Sequence, residues 1–130
     1  SMPQVVVHES GRRWFELMRE RQAGHPVRVR HCTTNRDTLD VVRQGRIGTV
    51  LLELGPSPLV SLELIDCICS LVPDAPVVAL GRSDQWSLEM TVRELGAAEF
   101  LCEPLFPGDV LNLIEWILRF RGSNWITNFL

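Results

Sequence analysis

No run of about 18 consecutive apolar residues occurs in the sequence, so we expect no membrane-spanning helix. Basic blocks are also missing: the 13 basic and 16 acidic residues are mixed along the chain and give a net charge of -3. A nucleic-acid-binding surface would need clustered basic residues. The run Val5–Val7 is too short for the apolar core of a signal peptide. We therefore expect a cytoplasmic domain that contacts neither membrane nor nucleic acid.

The sequence also lacks the common motifs of small α/β enzymes. No Gly-x-Gly-x-x-Gly or P-loop motif follows a predicted strand, and no serine has a histidine and an aspartate in a recognisable arrangement. Cysteine is scarce, and each cysteine lies in an apolar run, which favours reduced core thiols. The four are Cys32, Cys67, Cys69 and Cys102. Because Cys67 and Cys69 are two apart in a helical pattern, they cannot share a metal there.

What the sequence does contain is typical of one globular domain: 130 residues, of which 45% are hydrophobic. Short apolar runs alternate with longer amphipathic patterns. The short runs predict strands over 4–8, 27–32, 47–54, 75–80 and 98–102. The longer patterns predict helices over 12–22, 35–44, 59–72, 84–95 and 107–121, the second capped by Asn35.

This alternation predicts a mostly parallel sheet with right-handed crossovers. In such sheets, ligands and chemistry lie at the carboxyl ends of the strands. The residues to consider are therefore those that end each predicted strand. They are His8, Glu9, Ser10, Glu53, Gly81, Arg82, Ser83, Cys102, Glu103 and Pro104.

Three segments carry a resemblance to a known family. Val50–Leu54 is followed by two prolines, 75–80 is apolar, and 96–105 has a Gly-Ala pair, an aromatic residue and then a proline. Over residues 4–121 the chain resembles the receiver domain of bacterial response regulators. The resemblance implies a flavodoxin-like (βα)5 three-layer sandwich with strand order 2-1-3-4-5. Residues 1–3, which include a Ser-Met typical of a cleaved tag, would be a lead, and residues 122–130 a tail or the start of a linker.

The resemblance also implies roles for the strand ends. In that family an acidic pair and an aspartate hold Mg²⁺, the aspartate accepts a phosphoryl group, and a hydroxyl residue and a lysine contact that group. Those positions are occupied here by His8 and Glu9 (acidic pair), Glu53 (phosphoacceptor), Gly81 (hydroxyl) and Glu103 (lysine). The proline and the switch aromatic are retained as Pro104 and Phe100.

These replacements weaken phosphoryl chemistry. Glu53 places its carboxylate roughly 1.5 Å further out than an aspartate would. Gly81 removes a hydroxyl donor, and Glu103 replaces a cation with an anion. Two carboxylates about 5 Å apart repel by about 3 kcal/mol at an effective dielectric near 20. Arg12 and Arg82 are the candidates to offset this charge.

We interpret the chain as a pseudo-receiver in two-component phosphorelay signalling: not an enzyme, without a cofactor, and acting through protein contacts. Three alternatives stay open. The acids Glu9 and Glu53 can still bind Mg²⁺ and support regulated switching. Glu53 can survive as a phosphoryl acceptor. The third alternative is a small metal-assisted hydrolase or transferase. His8 is interpreted as a structural residue, and His25 and His31 are expected to lie away from the site.

A partner surface is predicted where helix 4, strand 5 and helix 5 meet. It would be lined by Trp86, Met90, Phe100 and Trp116. Exposed apolar patches of this kind mark interaction sites, with a kinase, an output domain or a second copy as partner. The alternative is that these side chains cap the edge of the core. The apolar segment 125–130 is expected either to pack back on the domain or to begin a further one.

Overall fold

A computed structural model describes residues 2–120 of the chain. The strands are β1 (Gln4–His8), β2 (Arg28–Cys32), β3 (Ile47–Glu53), β4 (Val77–Gly81) and β5 (Glu99–Cys102). The α-helices are α1 (Arg13–Arg21), α2 (Asn35–Val42), α3 (Pro58–Leu71), α4 (Glu89–Glu94) and α5 (Pro107–Phe120). No helix among residues 2–120 is long and apolar enough to cross a membrane.

The five strands form one sheet in the order β2-β1-β3-β4-β5, and every neighbouring pair is parallel. The predicted fold class and strand order are therefore confirmed. β2 lies at one edge, which explains its alternation of valine and arginine. The other edge is β5. Because all strands run in the same direction, their carboxyl ends meet along one rim of the sheet.

Helices cover both faces of the sheet and create two apolar cores. Val5 and Val7 of β1 point into the core under α1 and α5, whereas Val6 points into the core under α2, α3 and α4. Neighbouring residues of a strand face opposite sides. An unbroken valine run is thus the pattern of a strand buried on both faces. This gives the three-layer sandwich that the sequence predicts.

Two local predictions are wrong. The cap of α2 is Thr34, whose hydroxyl accepts the Asp37 N–H at 3.1 Å, and Asn35 is already helical. The predicted helix 84–95 is a 3-10 helix over Ser83–Leu88 followed by the short α4. The buried Gln85 side chain accepts the Arg82 N–H and donates to the carbonyl of Gly55. These two bonds hold the first turn against the β3–α3 loop.

The cysteines are free, but they are not all core residues as the sequence suggested. Cys32 is buried, Cys69 and Cys102 are partly exposed, and Cys67 is exposed on α3. The apolar run of α3 misled the interpretation because that helix leaves Leu59, Val60 and Leu71 exposed as well. The apolar segment 125–130 lies outside the described residues.

Candidate functional site

The carboxyl ends of the strands enclose a cleft of about 460 Å³. Five of the predicted strand-end residues line it: His8, Ser10, Glu53, Arg82 and Glu103. The remaining side-chain oxygens come from loops and helix starts that were not predicted to lie at the site. They include Thr33, Thr34, Asn35, Ser57 and Ser61. The Thr33-Thr34-Asn35 run directly follows β2, so the same strand-end rule identifies it.

Glu9 lies beneath this cleft and does not line it. Its side chain is 2% exposed, and its two carboxylate oxygens accept the backbone N–H groups of Trp14 and Phe15 at 2.9 and 2.8 Å. These are orphan donors at the N-terminus of α1, where the helix dipole also favours a negative charge. No cap comes from the side chain of Arg12. Glu9 is therefore the cap of α1.

His31 lies beside Glu9, although the sequence predicted that this histidine would lie away from the site. Its Nε2 lies 2.7 Å from the carbonyl oxygen of Gly11 and 3.5 Å from Oε2 of Glu9. It reaches the rim because β2 pairs with β1 in a register that sets His31 beside Val7. His8 is a satisfied residue, as predicted: its Nδ1 lies 2.7 Å from the Thr38 hydroxyl. Burial, and then the neighbouring His31, lower the pKa of His8.

Glu53 is half-buried at the end of β3. Burial raises the pKa of its carboxyl, and the charge of Glu9 raises it further. The backbone N–H of Ser10, the indole of Trp14 and the charge of Arg13 oppose that rise in pKa. The indole Nε1–H of Trp14 faces this carboxyl from a buried position without a hydrogen bond of normal geometry. Arg13 is thus the cation near Glu53.

The two arginines predicted to offset the acidic charge have other partners. Arg12 pairs with Glu16 at 3.5 Å, and Arg82, which does line the cleft, lies 4.0 Å from Asp84. The chain contains no lysine, so no lysine can take the role that the receiver resemblance implies for position 103. The exposed carboxylate of Glu103 accepts the Ser83 N–H at 3.2 Å. The peptide bond between Glu103 and Pro104 is cis.

Gly81 and Phe100 are packed against each other. A Cβ atom at Gly81 would lie 2.8 Å from Cζ of Phe100 and 3.1 Å from Sγ of Cys102. Phe100 is 6% exposed and belongs to the core under α3 and α4. Its assignment to a partner surface is therefore wrong. The aromatic ring turns inward because a glycine leaves room for it.

The donor set does not fit the Mg²⁺ ion that the receiver resemblance implies. Mg²⁺ needs several oxygen ligands in octahedral geometry. Both oxygens of Glu9 already accept backbone hydrogen bonds, and burial disfavours the charged form of Glu53. Within residues 2–120, no three or more His, Cys, Asp or Glu side chains are placed to share a metal.

Large apolar side chains are exposed on both sides of the β5 edge. Trp86 and Met90 are 70% and 73% exposed beside α4, and Trp116 is 50% exposed on α5. Phe106, which precedes α5 and was not predicted, is 66% exposed. Trp116 packs against Phe120 with the two rings tilted and their centroids 5.6 Å apart. Three of the four predicted surface residues are thus exposed, and Phe106 joins them.

No protein-family model matches the sequence, and no curated protein matches it. Solved structures do match. A CheY-like receiver domain protein from Methanospirillum hungatei JF-1 has a TM-score of 0.78 and 14% identity, covering 93% of this chain and 97% of that one. A response regulator from Thermotoga maritima has a TM-score of 0.75 and 20% identity, covering 92% and 99%. A structure described as adenylate cyclase from Rhodopirellula baltica has a TM-score of 0.79 and 12% identity, covering 98% and 94%.

These likenesses first define the class, a flavodoxin-like α/β domain of five parallel strands. Within that class, the chain has the fold of the receiver domain of two-component response regulators. The sequence-based recognition of this fold is confirmed.

The contact between Gly81 and Phe100 gives a first prediction. Gly81→Ala should lower the free energy of unfolding by about 1–3 kcal/mol, because the new Cβ overlaps the aromatic ring. In a Phe100→Leu background the further loss should be smaller. Urea unfolding of the four chains measures the coupling. Gly11→Ala is the control, since a Cβ there meets nothing within 4 Å. Equal losses in both backgrounds would contradict the contact.

The raised pKa of Glu53 gives a second prediction. Between its ordinary value of 4.5 and its higher folded value, the folded state binds more protons than the unfolded state, so stability falls as pH rises. Glu53→Gln removes this pH-dependent loss of stability and should therefore raise Tm at pH 7. The increase in Tm should become smaller toward pH 4.

The lowered pKa of His8 acts in the opposite sense. There the unfolded state binds more protons, so stability is lost as pH falls below about 6.5. This loss is common to both chains and cancels when the Tm of Glu53→Gln is compared with that of the unsubstituted chain. Glu63→Gln, at an exposed position on α3, is the control. A gain in Tm that does not change with pH would count against a raised pKa at Glu53.

Proposed function

We propose that this chain is a receiver-type signalling domain of a two-component phosphorelay that works without phosphorylation. It acts through protein contacts, has no catalytic activity of its own and needs no cofactor. The observation that carries the proposal is the position of Glu9, whose two oxygens are bound to the N-terminus of α1. The four free thiols support a cytoplasmic location, since disulfides form in oxidising compartments.

Phosphoryl transfer depends on positioning and on neutralising the charge of the phosphoryl oxygens. A phosphorylated side chain carries about -1.5 to -2 charges at neutral pH. In this cleft it would meet the carboxylates of Glu53 and Glu103, with Arg82 as the one basic side chain among the described residues that line it, apart from neutral His8. The hydroxyl that would contact it is absent at Gly81. The negative charge of the cleft therefore disfavours both the binding of a phosphoryl donor and the phosphorylated side chain that would be the product.

The alternatives from the sequence need ligands that this site does not offer. Cation-dependent switching and a metal-assisted hydrolase each require Glu9 and Glu53 as charged oxygen ligands. Moving Glu9 to a metal would leave the buried N–H of Trp14 without a partner, at a cost of about 1–3 kcal/mol, and would also free the partly buried N–H of Phe15. The remaining alternative, phosphoryl transfer to Glu53, requires a cation at position 103. No contact among residues 2–120 supports any of these three alternatives.

We propose that the protein partner binds where α4, β5 and α5 meet. Trp86 and Met90 beside α4 and Phe106 and Trp116 beside α5 frame the open edge of β5. An open edge strand is itself a pairing surface, and exposed aromatic side chains are common anchors of interfaces. The partner is a kinase, an output domain or a second copy of the chain.

The absence of phosphoryl switching is tested by NMR. Adding about 10 mM Mg²⁺ and then beryllofluoride, which imitates a phosphoryl group, should leave the backbone amide shifts of Glu53, Gly81 and Phe100 unchanged. Glu53 and Gly81 would report a working site because they end β3 and β4, where the ions would bind, and Phe100 would report it because its ring packs against Gly81. Saturable shifts centred on Glu9 and Glu53 that spread to Phe100 would overturn the proposal.

The partner surface is tested by Trp116→Glu. We expect self-association, or capture by a cognate kinase, to weaken by at least about tenfold, because the change places a charge in an apolar contact. Sedimentation velocity over a concentration series measures the first effect. Leu59→Glu is the matched control, since Leu59 is 71% exposed on α3 and away from β5. Unchanged binding after Trp116→Glu, or equal weakening by both changes, would contradict this surface.

A further inference from the structure

The two edges of the sheet carry opposite charge. β2 is one edge and β5 is the other. Residues 12–46, which form α1, β2 and α2, contain nine arginines and four acids. Residues 82–109, which follow β4 and reach the first turn of α5, contain two arginines and six acids. Both signs occur along the whole chain, but folding places the excess of each sign at a different edge.

The basic edge is formed by β2 and the side of α1 that lies against it. The ring of Phe15 lies 5.2 Å from that of His31 on β2, and the guanidinium groups of Arg12 and Arg19 lie 4.9 and 5.3 Å from its centroid. Arg12 is already in an ion pair. Among the described residues, Arg19 and the β2 residue Arg28 have none and are exposed. The basic edge therefore offers two unpaired cations.

The acidic edge offers the opposite groups. A groove of about 420 Å³ on α4 is lined by Glu89, Met90, Arg93 and Glu94. Arg93 is already paired with two acids. Glu94 is exposed and has no ion pair among the described residues. Beside it, Trp86 and Met90 are 70% and 73% exposed. An occupant of this edge should therefore supply a positive charge and a group that packs on an indole ring.

A guanidinium group meets both requirements, since it pairs with carboxylates and stacks on aromatic rings. Charge also selects the arrangement of two copies. Two basic edges repel each other, as do two acidic edges, whereas a basic edge attracts an acidic one. The complementary surface is therefore present on the chain itself.

We infer that the β2 edge of one copy binds the β5 edge of a second copy, so that Arg19 and Arg28 meet Trp86 and Glu94. The inference rests on the proposed partner surface and names its partner. Because two different surfaces meet, the contact is heterologous. Each bound pair keeps one unused edge of each kind, so further copies can be added.

The test is sedimentation velocity of the full chain over a concentration series in about 20 mM salt, where surface charges are weakly screened. A basic-edge variant carries Arg19→Gln with Arg28→Gln, and an acidic-edge variant carries Trp86→Ser with Glu94→Gln. We expect the unsubstituted chain to form assemblies that grow with concentration. Each variant alone should associate at least about tenfold more weakly.

An equal mixture of the two variants should form a discrete dimer, since each variant supplies the edge that the other lacks. Recovery of binding in the mixture also shows that both variants are folded. Arg36→Gln with Arg43→Gln is the matched control. It removes the same charge from α2, which covers the opposite face of the sheet from α1.

The remaining outcomes separate this inference from the proposed function. Weakening by the acidic-edge variant alone would overturn the head-to-tail contact and leave the proposed partner surface intact. Unchanged assemblies in both variants would contradict the inference and that surface together. A chain that stays monomeric up to about 1 mM, or equal weakening by the control, would overturn the inference alone. Capture by a kinase would then decide the proposed surface.

Discussion

The carboxylate of Glu9 holds the N-terminus of α1, and the rest of the site depends on that contact. Its two hydrogen bonds to Trp14 and Phe15 fix the first turn of the helix. This turn sends Trp14 into the core and places the ring of Phe15 beside His31, with centroids 5.2 Å apart. Burial raises the pKa of Glu53, and the charge of Glu9 raises it further. One acid thus serves as a helix cap and adds to the pKa shift of its neighbour.

The other replacements are compatible with this arrangement. A glycine at position 81 makes room for Phe100, so the aromatic ring forms part of the core. A glutamate at position 103 accepts the N–H of Ser83, in the loop that follows β4. Each of these two residues makes a packing contact or a hydrogen bond in the structure. The receiver fold is kept because its stability comes from the two apolar cores and not from the rim.

Sequence patterns predicted the fold well for physical reasons. Strands buried on both faces give continuous apolar runs, and parallel topology brings their carboxyl ends together. This rule was enough to place His8, Glu53, Arg82 and Glu103 around one cleft. It failed for His31, since the register of β2 against β1 is set by pairing that no local pattern encodes. The separate prediction that Phe100 lines a partner surface failed because a strand residue's burial depends on the volume left by its neighbour, here Gly81.

The sequence by itself determined the class of domain, the order of its elements and the residue types at the strand ends. It also determined that an acid, Glu103, directly precedes Pro104 and that the chain has no lysine. Tertiary structure decided which of these side chains face the cleft and which are already bound by hydrogen bonds within the protein. Glu9 and Glu53 differ in role although both are glutamates at strand ends, since one meets the N–H groups of a helix and the other faces the cleft. Such differences arise from hydrogen bonds and packing between segments distant in sequence, which alternation and spacing do not record.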